Sequence, residues 1–159
     1  MLNKTAVERT RDYFVHHNYP LVNQEVAGRR LEYFLLPQSL NPNLPKFAVA
    51  VVSEDKMHHI FGVADTVPEA YRQFWALHEH IEYLEEKDGP DRCVNSLNME
   101  LEAVPPEARV DYIGTRLDFF RDLIEYTRKH SEGISNLPET IAKYGKSLSR
   151  LEQLAAEAA

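Results

Sequence analysis

The sequence predicts a single α+β domain: an N-terminal helix, a four-stranded antiparallel meander, then four helices packed on one face. Two observations predict it. Hydrophobic periodicity turns from helical to alternating near Leu21 and returns to helical after Val67. Clusters of Pro, Gly and Asn punctuate the chain where the period changes. At 159 residues the chain suits one domain, residues 1–65 forming the helix-plus-sheet half and 66–159 the helical half, with a core able to bury roughly two-thirds of the unfolded surface.

Residues 3–17 set Ala6, Val7, Tyr13, Phe14 and Val15 among charges, an amphipathic pattern that Asn18 can close in a left-handed cap before Pro20. Two β-rich runs, 21–26 and 31–36, flank Ala27-Gly28-Arg29 and predict a hairpin. The Pro- and Asn-rich segment 37–45 is a connection. Residues 47–52 are apolar at every position, which predicts a central strand covered on both faces, and 57–63 is expected to complete the meander.

Helix-start chemistry recurs at Thr66-Val67-Pro68-Glu69, Pro105-Pro106-Glu107 and Asn136-Leu137-Pro138-Glu139; in the first and last a capping side chain stands three residues before Glu. The helix between Pro90 and Pro105 carries Val94, Leu97, Leu101 and Val104 at core spacing. Residues 106–129 carry a broad stripe of Val110, Ile113, Leu117, Phe120 and Ile124, and Gly114 within it suggests close approach of another element. The last helix, with Ile141, Tyr144, Leu148, Leu151 and Ala155, is expected to pack on the domain or to pair with a second copy as a homodimer.

A net charge of -7 and pI near 5.5 oppose affinity for nucleic acid or anionic membranes, since acids sit beside most of the basic pairs Arg9/Arg11, Arg29-Arg30 and Arg128-Lys129 and no basic–aromatic alternation occurs. The single Cys93 can form no internal disulfide, pointing to a reducing, cytoplasmic setting, and reads as a small half-buried residue beside the helical stripe. No apolar run is long enough for a membrane span, and the N-terminus lacks the apolar core of an export signal.

The densest chemistry lies in the segment VPEAYRQFWALHEHIEYLEEK, residues 67–87. Phe74, Leu77, Ile81 and Leu84 form its core face, and His78, Glu82 and Glu85 border it at i, i+4 and i+7. Five acids between His78 and Asp88 face one Lys87, a pattern that as readily makes a solvated acidic face. His58 and His59, adjacent on a strand, point to opposite faces, so at most one can join a site.

His78-Glu79-His80-Ile81-Glu82 resembles the zincin metalloprotease signature, with Glu82 standing where the second His would be. The resemblance covers these five residues. It implies His78 and Glu82 as ligands of Zn or another divalent metal and Glu79 as general base. A third ligand is not specified by spacing; His130, Glu125 and a strand histidine are candidates. No nucleophile elbow or phosphate-cradling Gly-rich loop is present in the sequence.

Strong packing signals beside sparse site signals favour a non-catalytic interaction or regulatory module, without a cofactor and self-associating through residues 137–159. The alternative is a metal-dependent hydrolase built on the HExxE helix.

Overall fold

The computed structural model describes residues 5–134 and 136–158. The expected helix start at Asn3, the loop residue Ser135 and the chain end Ala159 lie outside them.

Helix α1 spans Ala6–His16. Thr5 caps it by accepting the Glu8 N–H, Val7 and Phe14 turn inward, and Asn18 at φ 58° ends it in the left-handed region, as its sequence predicts. Strands β1 (Leu21–Val26) and β2 (Arg29–Leu36) pair antiparallel around Ala27 and Gly28, both at positive φ (51° and 78°), the backbone a tight hairpin turn requires.

The other two strands are β3 (Ala48–Val52) and β4 (His59–Ala64), and the sheet order is β1-β2-β4-β3. β4 runs parallel to β2 and antiparallel to β3, so the sheet is mixed rather than an antiparallel meander. The expected central strand is therefore an edge. β3 is apolar on both sides because helices approach it from both, α1 on one face and the helix after β4 on the other. The long segment between β2 and β3 is what lets β4 return beside β2. At Gly62 an added Cβ would lie 2.5 Å from Leu36 Cδ1 and 3.0 Å from Val49 Cγ2, so this close three-strand crossing needs glycine.

A single turn, Glu69–Tyr71, leads into α2 (Arg72–His80). The expected Thr66 capping box does not form: the Thr66 hydroxyl donates to the Pro45 carbonyl, and the turn begins after Pro68 without a side-chain cap. Beyond His80 the chain continues as a π-turn over Ile81–Glu85, closed by the Glu86 N–H on the Ile81 carbonyl at 2.8 Å. Helices α3 (Arg92–Ala103), α4 (Arg109–Lys129) and α5 (Leu137–Ala158) complete the chain.

Register separates the two faces of the sheet. Phe34 and Gly62 are partners and share a face, and Phe14 of α1 packs on Phe34 with ring centroids 5.2 Å apart. Phe61 points the other way, towards His80 of α2. Helix α1 thus covers one face, α2 covers the other, and α3, α4 and α5 pack around α2 and one another as a further layer. Among the described residues, α2 is the one of the four later helices that lies broadly against the sheet.

Two expectations within α4 are corrected. Val110 is 69% exposed, because the buried face runs through Tyr112, Ile113, Arg116, Phe120 and Ile124 and leaves Val110 outside it. Gly114 is exposed as well, and a Cβ there would meet nothing within 4 Å, so no close approach explains it. The α5 stripe packs on α3 and α4, with Ser147 and Leu151 fully buried. Among the described residues no helix is long and apolar enough to cross a membrane.

Candidate metal centre

Four helices converge on His78. It lies in the last turn of α2 on the face turned towards α3, one turn before Glu82, and both side chains are buried. The π-turn then rotates the chain: Glu85 leaves that line and accepts from Arg29 on the surface at 2.6 and 2.7 Å, and His80 Nε2 also lies 3.2 Å from it. The predicted trio is thereby split from Glu85, and the acidic run is not uniformly solvated, since Glu82 is in the interior.

Both ring nitrogens of His78 meet a carboxylate. Nδ1 is 2.7 Å from Oε1 of Glu100 on α3, and Nε2 is 2.8 Å from Oε2 of Glu82. Glu100 is fixed in turn by two hydrogen bonds from Arg116 of α4, at 2.7 and 2.9 Å, and by the Tyr112 hydroxyl. Arg116 lies over Trp75, its guanidinium carbon 4.0 Å from the ring centroid. Burial alone pushes the Glu100 carboxyl up, but the Arg116 charge and the His78 contact bring it below its ordinary value. Glu82 behaves alike: burial is opposed by His78 and by the charges of Lys143 and Arg92, 3.8 and 3.6 Å from Oε1, and its carboxyl falls below the ordinary value. His78 is raised well above its ordinary value, since contacts with Cys93 and both carboxylates outweigh its burial.

Cys93, in the first turn of α3, completes the group. Its Sγ is 3.8 Å from His78 Nε2 and accepts the Ser147 hydroxyl of α5 at 3.1 Å. One ligand atom each from His78, Glu82 and Cys93 lie within 4.8 Å of one another. Tetrahedral zinc with its usual bond lengths places N and S about 3.6 Å apart and N and O about 3.3 Å apart. The observed 3.8 Å already fits, and the 2.8 Å contact has to open by about half an ångström. A neutral imidazole donating from Nδ1 to Glu100 would face Glu82 with a lone pair on Nε2. Either a proton or a metal cation must therefore lie between Nε2 and Glu82.

Glu79, the predicted general base, sits beside this group without being one of its ligands. It shares a cavity of about 110 Å³ with His78, Glu82, Cys93, Tyr83 and Tyr144, walled by Phe47, Phe119 and Leu123. Among the described residues its carboxylate has no hydrogen-bond partner, and burial followed by the Glu82 charge pushes it up to about 7. The other suggested third ligands are elsewhere: His130 and Glu125 line a surface depression beside Pro45, and His58 and His59 lie at the far side of the sheet's open end.

Comparison with known protein families, characterised proteins and solved structures finds no match for this chain.

Sequence reasoning missed Cys93, Glu100 and Arg116. A signal existed for the latter two. Glu100 falls among Cys93, Leu97 and Leu101 on the buried face of α3, and Arg116 falls between Tyr112 and Phe120 on that of α4, so two adjacent helices each carry one charge on an apolar face. Cys93 could not be placed against His78 because a π-turn and a loop separate them.

Proposed function

We propose that the chain is a metal-dependent hydrolase acting on a small substrate, with His78, Glu82 and Cys93 as metal ligands and Glu79 as general base. One observation carries it: three ligand atoms of suitable chemistry converge within 4.8 Å, while the far nitrogen of the histidine is held by a buried carboxylate. A divalent ion held there supplies Lewis acidity for water activation. Three protein ligands leave one coordination position, as catalytic zinc sites require.

The chain's own groups account for the remaining tasks. Glu100 fixes the His78 ring and its tautomer, and Arg116 and Tyr112 fix Glu100. Lys143 and Arg92 beside Glu82 offset part of the negative charge the ligands carry. Glu79, carrying a proton affinity close to neutrality, takes the proton of an attacking water and returns it to the leaving group. A dication held there would bring that affinity back down towards its ordinary value and keep Glu79 ionised as a base. Phe47, Phe119 and Phe120 limit water, and a space of about 110 Å³ limits the substrate portion admitted to a few heavy atoms.

Elemental analysis of protein purified without a metal-binding tag tests this reading. One Zn, Mn or Fe per chain is expected, absent from Cys93→Ser, with Glu79→Gln retaining the metal but losing turnover about 100-fold or more. A chain without stoichiometric metal defeats it.

The interaction-module reading has its own support in Val110, exposed beside a shallow depression lined by Ile113, Gly114, Leu117, Ala155 and Ala158 of α4 and α5. A full-length monomer in light scattering would oppose self-association there.

A further inference from the structure

β2 and β4 pair only over Phe34–Leu36 and Gly62–Ala64; the first half of each strand diverges from the other. The wedge between them is a cleft of about 370 Å³, the size of a small-molecule site. Its polar rim is Arg11 of α1, Arg30 and Glu32 of β2, and His58 and His59 at the start of β4. Its floor is apolar, formed chiefly by Phe34, Ile60 and Phe61, all buried.

Three features give the cleft a chemical preference. Arg29 is engaged by Glu85, but among the described residues the Arg30 guanidinium has no hydrogen bond or ion pair. Among the described residues, Nδ1 of His59 is buried without a partner. The main chain adds donors. The Leu35 N–H bonds to Pro20 on the β1 side, and the Leu36 carbonyl accepts from Asp65 on the β4 side. By alternation the main-chain groups of Arg30 and Glu32 face the gap, where no strand meets them. On a chain of net charge -7, this is a local site for negative charge.

We infer that the cleft between β2 and β4 binds a small organic anion, its carboxylate or phosphate held by Arg30 and its apolar body against Phe34 and Ile60. The Arg11–Glu32 pair, 3.7 Å apart and half exposed, borders the head group and restricts entry to small ligands. The main-chain N–H groups of Arg30 and Glu32, which face the gap, offer the remaining hydrogen bonds.

Calorimetric titration of the full chain at fixed ionic strength tests this with phenyl phosphate, benzoate, inorganic phosphate and benzyl alcohol. At least one of the two aromatic anions is expected to saturate, and which one binds tighter identifies the preferred head group. Inorganic phosphate should bind more weakly than phenyl phosphate, and benzyl alcohol not measurably. Arg30→Gln, a surface change that leaves the fold intact, should weaken binding about tenfold or more, and Arg128→Gln should not. The methyl resonance of Met57, at the cleft rim, should shift on binding. The inference is overturned by absence of saturable binding of both aromatic anions, by inorganic phosphate or benzyl alcohol binding as tightly, or by unchanged affinity in Arg30→Gln. Binding lost in Cys93→Ser and kept in Arg30→Gln also overturns it, because the anion then sits at the buried cluster.

Discussion

His78 and His59 meet opposite treatment within one small fold. His78 is enclosed by helices and has a carboxylate at each ring nitrogen, so partners overcome burial and its proton affinity rises. His59 borders an open cleft with Nδ1 buried and unpartnered; burial dominates there, only partly offset by Glu32, and its proton affinity falls. The residue type is the same, and the direction of the shift is decided by whether acids arrive with the burial. The helical cluster is thus a closed, preorganised group of charges, whereas at the open end of the sheet the Arg30 guanidinium and His59 Nδ1 have no partner among the described residues.

Breaking the closed cluster should have the largest effect. Glu100→Ala leaves Arg116 and His78 buried without their shared carboxylate, and should cost about 3–5 kcal/mol in urea unfolding. A loss below 1 kcal/mol would mean that the cluster is far more solvated than its geometry indicates.

Next in size is the response to metal. Zinc at a hundredfold excess over its Kd should stabilise the wild type by about 2.7 kcal/mol. His78→Ala and Cys93→Ser should lose most of that gain, and equal stabilisation of all three proteins would move the ion elsewhere.

A smaller effect separates Glu79 from its neighbours. With a folded-state value of about 7 against an ordinary 4.5, Glu79 keeps a proton in the folded chain that the unfolded chain has released. Its contribution to stability is complete below pH 4.5 and is lost as pH rises through 7. Between those limits metal-free wild type should lose about 2.5 kcal/mol relative to Glu79→Gln, read as the difference between two melting profiles. Parallel profiles would show that Glu79 is ordinarily solvated.

The least effect belongs to the open region. Glu32→Ala removes the exposed partner of Arg11 and should change stability by less than about 1 kcal/mol. A loss as large as that of Glu100→Ala would erase the contrast between the two regions.

Local signals in the sequence were enough for most of the architecture. Asn18 at a left-handed cap and the Ala27-Gly28 turn are decided within a few residues and form as the residues predict, and of the expected α4 stripe Ile113, Phe120 and Ile124 are buried while Val110 is not. Strand order was not legible, because an all-apolar β3 shows only that both faces are covered and two helices can do that at an edge. In the candidate site, His78 and Glu82 could be paired from their spacing on one helix. Their partners on α3, α4 and α5 depend on how helices cross, and the π-turn that diverts Glu85 from Glu82 has no signature in residue type.

Cobalt substitution tests the metal centre most directly, because it reports the sulfur ligand itself. Metal-free protein loaded with one equivalent of Co²⁺ should show a thiolate-to-metal charge-transfer band together with the intense visible bands of a four-coordinate ion, and Cys93→Ser should lose the first. A cobalt spectrum identical in wild type and Cys93→Ser, or that of the free aquo ion in both, would contradict a centre formed by His78, Glu82 and Cys93.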